Sequence, residues 1–122
     1  MANNRDRYSI IAGAYSDSWW SVQIVDDNGD PVDLTGTEQI ALIKNSDKDS
    51  DKDAVGEFEI DVSDATNGTL LLHLPKNTVS PGQYYSSVLV KWPEGHSLWP
   101  GAEVNVLLLD LTVERETTRG EL

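Results

Sequence analysis

The sequence predicts an all-β domain built as a two-sheet antiparallel sandwich. Apolar residues recur at every second position along most of the chain, and no stripe of helical period competes with them. Turn residues such as Asn28-Gly29, Asn67-Gly68, Pro93-Glu94-Gly95 and Pro100-Gly101 interrupt that alternation at intervals of roughly eight to twelve residues. A length of 122 residues suits one hydrophobic core, and no shift of composition marks a second domain. Periodicity and spacing leave a small closed barrel as the competing geometry.

The strands follow in order. Tyr8, Ile10 and Ala12 alternate with Ser9, Ile11 and Gly13. After a break at 14–18, Trp20, Val22 and Ile24 share one face, and Trp19, Ser21, Gln23 and Val25 the other. Asp26 to Pro31 supplies a turn, because Asn-Gly accepts positive φ and Pro31 cannot donate to a ladder. Val32 and Leu34 are expected to return as a short strand, followed by a strand around Gln39–Ile43. Glu57 to Val62 places acidic residues on one face and apolar residues on the other. Beyond Asn67-Gly68, Leu70, Leu72 and Leu74 oppose Leu71 and His73. Tyr84, Ser86, Val88, Val90 and Trp92 oppose Tyr85, Ser87, Leu89 and Lys91. A short strand is expected at 96–99 and a last one from about Glu103 to Val113. The domain is therefore expected over residues 1–115, with a polar tail at 116–122.

Charge and composition narrow the function. A net charge of −12 repels phosphate backbones and anionic lipid, so neither nucleic acid nor a membrane surface is an expected partner. No apolar run approaches the roughly 20 residues of a membrane helix, and the first residues lack the apolar core of a signal peptide. With no cysteine, the fold is expected to rest on packing alone.

The tandem Ser46-Asp47-Lys48-Asp49-Ser50-Asp51-Lys52-Asp53 invites a calcium reading. Aspartates 47, 49, 51 and 53 fall at loop positions one, three, five and seven, where an EF-hand places its oxygens. The glycine that loop requires at position six is Lys52, and the closing glutamate position is Phe58. Two lysines within the loop also repel a cation. A solvated loop is the expected role, with no metal and no cofactor. His73 and His96 read as surface or packing residues, and no nucleophile elbow, zinc-helix motif or phosphate loop is present. An enzyme is not expected.

The aromatics carry the remaining signal. Trp19 and Trp20 are adjacent in a strand, so they face opposite sides of a sheet, and only one can serve the core. Trp92 and Trp99 flank a hairpin and are expected to meet across it. Trp19, Trp20, Tyr85, Trp92 and Trp99 are the candidates for burial against another subunit or for stacking on a sugar.

The order of segments also resembles a known group. Asp17-Ser18-Trp19-Trp20-Ser21-Val22-Gln23-Ile24 leads into Asn28-Gly29-Asp30-Pro31-Val32-Asp33-Leu34-Thr35-Gly36. Thr69 to Pro75, then Pro81-Gly82-Gln83-Tyr84-Tyr85 and a closing strand after Gly101 follow. This pattern, over about residues 8–114, resembles the small immunoglobulin-like domains of tailed-phage virion proteins, as at the N-terminus of baseplate upper proteins and in tail, fibre and neck modules. The resemblance implies an immunoglobulin-like sandwich and a non-enzymatic structural role in the virion, made in the host cytoplasm. It implies partners among other phage structural proteins and a homo-oligomer. Capsid decoration, a head fibre, or a module binding host glycan are the alternatives. The Ser46–Asp53 insertion has no counterpart in that group.

Overall fold

The computed structural model describes residues 6–96 and 99–117. Among these, eight strands form two sheets: β1 (Asp6–Gly13), β2 (Ser18–Gln23), β3 (Glu38–Lys44), β4 (Gly56–Glu57), β5 (Glu59–Asp64), β6 (Thr69–Leu74), β7 (Gly82–Lys91) and β8 (Glu103–Glu114). The larger sheet runs β1-β8-β7-β3-β4 and the smaller one β2-β6-β5. The sheets do not join into a barrel. Their crossing-over connections give an immunoglobulin-like sandwich, as expected.

One part of the antiparallel expectation is corrected. β1 runs parallel to β8, from Asp6 opposite Leu107 to Gly13 opposite Glu114, so the larger sheet is mixed. All other named pairs are antiparallel. A hairpin cannot join parallel neighbours, and here nearly the whole chain lies between them. Alternation within a strand is the same for either direction, which is why the sequence did not reveal it.

The core is the interleaving of the two inner faces. From β6 come Leu70, Leu72 and Leu74, from β7 Val88 and Val90, and from β8 Leu107, Leu109, Leu111 and Val113, all buried. Each aliphatic side chain so enclosed contributes about 1.5–3 kcal/mol relative to exposure. Trp20 and Val22 point inward from β2, and the Trp20 ring meets Phe58 edge-on at 5.9 Å. Ser86, a polar residue in this layer, donates its hydroxyl to the Leu42 carbonyl at 2.6 Å, so its burial carries no unmet donor.

Several boundaries differ from the sequence reading. Val32 and Leu34 are buried as plugs, but the chain makes only a single bridge, Val25 to Pro31, rather than a strand. The Glu57–Val62 run is split at Phe58, where the chain leaves β3 in one sheet and joins β6 in the other. Phe58 itself is buried at that crossing, and its N–H still reaches the Ala41 carbonyl at 2.9 Å. The short strand expected at 96–99 falls partly on residues 97 and 98, outside the described residues, and His96 and Trp99 lie in turns. Glu116 does not trail away as tail. Its carboxylate accepts the Tyr15 N–H and the Ser16 hydroxyl, each at 2.8 Å.

Candidate functional site

Among the described residues, two sheet edges lie side by side and unpaired. β1 is bonded to β8 on one side only, and β2 to β6 on one side only. Between them the sandwich is open, as a cleft of about 410 Å³ with Tyr8 and Ile10 on one wall and Trp20 and Val22 on the other. Leu72 and Leu109 form its floor. Tyr8 shows how incomplete the closure is. Its register opposite buried Leu109 turns it toward the inner face, yet it is 47% exposed.

On the outer surface beside this cleft, three strands align one residue each. Trp19 of β2 lies opposite His73 of β6, which lies opposite Glu59 of β5. The Trp19 and His73 rings are stacked, with centroids 4.7 Å apart and planes 6° from parallel. His73 Nδ1 is 2.7 Å from Glu59, and Nε2 is 3.1 Å from Asp17. Asp17 also accepts the Lys76 N–H at 3.1 Å.

That geometry selects the charged imidazole. A neutral ring can donate from only one nitrogen, whereas both nitrogens here face carboxylate oxygens, which accept. Partial burial works against the charge, but the bonds to Glu59 and Asp17 outweigh it and hold the His73 pKa above its ordinary value. The Lys76 N–H first, and His73 second, hold the Asp17 carboxyl below the usual range. With both ring nitrogens occupied, His73 has no free position for exchanging a proton with a third group. The arrangement fixes the Trp19 ring against a cation and leaves Trp19 57% exposed.

The other sequence candidates are scattered. Trp20 faces the interior. Trp92 is 1% exposed, a core residue whose indole N–H donates to the Asp33 carbonyl at 3.1 Å, so it presents no surface. Trp99 meets Trp92 edge-on at 4.6 Å, as expected across the hairpin, and half-covers it as a lid. Tyr85 is half-buried on the outer face of the larger sheet, opposite Lys44 and Asp110. Only Trp19 of the five stands out into solvent at the open side.

The aspartate loop folds back on its own lysine. Lys44 Nζ is 2.7 Å from Asp51 and 3.2 Å from the Asp49 carbonyl, and the Ser50 hydroxyl donates to Asp53 at 2.9 Å. Among the described residues no group of three or more His, Asp or Glu is placed to hold a metal ion. Sequence reading missed the role of His73. Its partners Asp17 and Glu59 are 56 and 14 residues away, and no local motif joins them.

No family model and no curated protein matches this sequence. Among solved structures, the chain is similar to the filamin domain of Lin-41, with 17% identity over 90% of this chain and 84% of that one, at a TM-score of 0.43. It is also similar to part of a family 123 glycoside hydrolase from Clostridium perfringens, with 12% identity and a TM-score of 0.39. That match covers 93% of this chain and spans 23% of the hydrolase.

Proposed function

We propose that the chain is a non-enzymatic structural module of a tailed-phage particle, at the tail, baseplate or fibre attachment, and that it acts by subunit assembly. The observation that carries the assembly part is the open side, where an apolar cleft, two unpaired strand edges and the exposed Trp19 adjoin. Surfaces of this kind become buried when a partner covers them. The placement on a phage particle rests on the resemblance carried by Asn28–Gly36 and the segments around it. Sugar recognition by stacking asks for several aromatics presented together, and the five candidates are dispersed over different surfaces instead.

Light scattering over a range of concentrations tests the assembly reading. Wild-type chain is expected to reach a discrete mass above that of the monomer. Trp19→Ala is expected to weaken that assembly while leaving the far-ultraviolet spectrum unchanged. A chain that stays monomeric throughout overturns self-assembly. The placement is tested by gold-labelling an epitope-tagged copy on purified particles: label at the tail supports it, and particles without label refute it.

A further inference from the structure

Among the described residues, the four sheet edges are not equivalent. β4 is two residues long, and β5 carries Glu59, Asp61 and Asp64 with a register shift between Val62 and Asp64. Short length, charge and bulges are the devices that keep edges from pairing with another chain. The two edges on the open side use them less. β1 is charged only at its first two residues, Asp6 and Arg7, and β2 holds no charged residue. Neither holds a proline, and neither pairing shows a register shift. β1 is the longer of the two, and its Ile11 is 62% exposed. Along a strand paired on one side only, alternate residues turn their N–H and C=O groups outward with no ladder to receive them.

We propose that β1 pairs antiparallel with β1 of a second copy, about a two-fold axis at Ile10. This rests on the assembly reading and specifies its interface. In an antiparallel ladder, directly opposed residues lie on the same face of the sheet. A symmetric pairing must therefore set some residue opposite itself. With Ile10 at the axis, Tyr8 lies opposite Ala12 of the second copy on the cleft side. On the outer side Ser9 lies opposite Ile11, and Arg7 opposite Gly13.

Charge selects that register. The Glu116 carboxylate occupies the space over the outer side of Gly13, where a Cβ would stand. Arg7 of one copy thus meets Glu116 of the other, and the symmetry makes the contact twice. Arg7 is exposed and spends one N–H on Asp110 at 2.6 Å, which leaves further guanidinium donors for a second carboxylate. Glu116 receives the Tyr15 and Ser16 donors within its own chain, one on each oxygen, so both oxygens keep acceptor capacity. Moving the axis to Ile11 carries Arg7 past the end of the partner strand and loses the contact. Two five-stranded sheets become one sheet of about ten strands. The two β2 edges, with Trp19 and the cleft, then face each other.

The test is a charge swap between separate chains, read as the dimer dissociation constant by sedimentation equilibrium. Arg7→Glu alone sets two carboxylates against each other at both contacts, and Glu116→Arg alone sets two guanidinium groups together there. Each is expected to weaken the dimer about tenfold or more. In a dimer of one Arg7→Glu chain with one Glu116→Arg chain, the introduced carboxylate meets the introduced guanidinium at one contact and the native Arg7 meets the native Glu116 at the other. Both contacts are then opposite pairs, so an equimolar mixture is expected to associate at least about threefold more tightly than either variant alone. Ile11→Lys, a charge on the edge that leaves the Glu116 bonds in place, is expected to weaken the dimer and not be rescued by mixing. If the wild type associates but none of the three variants changes it, the β1 pairing is wrong and assembly uses another surface. If the wild type never associates, the pairing and the assembly reading fall together.

Discussion

Replacing Gly68 by alanine is expected to destabilise the domain by about 3–5 kcal/mol, far more than the same change at Gly29. Both glycines have left-handed backbones, with φ of +68° and +83°. Alanine in that region costs about 1–2 kcal/mol at either site. The surroundings differ. At Gly29 an added Cβ meets nothing within 4 Å, whereas at Gly68 it comes within 2.6 Å of the carbonyl oxygens of both Ile24 and Val32. These are backbone atoms and cannot swing aside as a side chain would. The Gly68 carbonyl accepts the Ile24 N–H at 2.8 Å, and the Ile24 carbonyl accepts the Val32 N–H at 3.0 Å. Relieving the clash opens at least one of these bonds beneath buried residues, which adds about 2–3 kcal/mol. Against a total stability of about 5–15 kcal/mol, such a loss is readily measured. Urea unfolding of the two variants, with equal slopes, gives the comparison directly. A difference below about 0.5 kcal/mol would refute the claim that the β5–β6 turn is wedged under the Val25–Pro31 hairpin.

Trp92→Ala is expected to cost about 3–5 kcal/mol in urea unfolding and Trp19→Ala less than about 1 kcal/mol; similar values would mean Trp92 is not the core residue described. In an imidazole NMR titration, His73 is expected to lose its proton above the ordinary value near 6.5, and Glu59→Gln to lower that midpoint. Because the folded-state pKa is raised, the stabilisation from this cluster is full below about pH 6.5 and disappears as pH rises through the folded value. Asp17 acts at the other end, its contribution present above about pH 3.9 and lost as acid titrates through its lowered folded value. A His73 midpoint unmoved by Glu59→Gln would mean the contact is not kept in solution. Millimolar calcium is expected to leave the unfolding midpoint unchanged, since a ligand binding only the folded chain would raise it; a rise that Asp49→Asn with Asp51→Asn abolishes would locate a cation in the Asp47–Asp53 loop.

The sequence by itself determined the class of fold, the direction of nearly every strand residue and most turns. The reason is that a strand half-buried in a sandwich writes its inner face as a period of two, and Asn28-Gly29 and Asn67-Gly68 supply backbones that few other residues tolerate. It also required Trp19 and Trp20 to part, because neighbours in a strand cannot share a face. Trp92 and Trp99 met as their hairpin suggested.

Tertiary structure decided the rest, and in each case the deciding contact joins distant segments. The parallel pairing of β1 with β8 leaves no mark on either strand, since alternation is blind to direction. The split at Phe58 follows from a change of partner strand, not from a turn residue. His73 reads as an ordinary strand residue until the fold brings Asp17 and Glu59 to its two nitrogens and Trp19 to its face. The open side is the clearest case. Tyr8 and Ile11 are apolar in sequence and were expected simply to alternate, but which edges find a neighbour depends on sheet order, and among the described residues β1 and β2 find none.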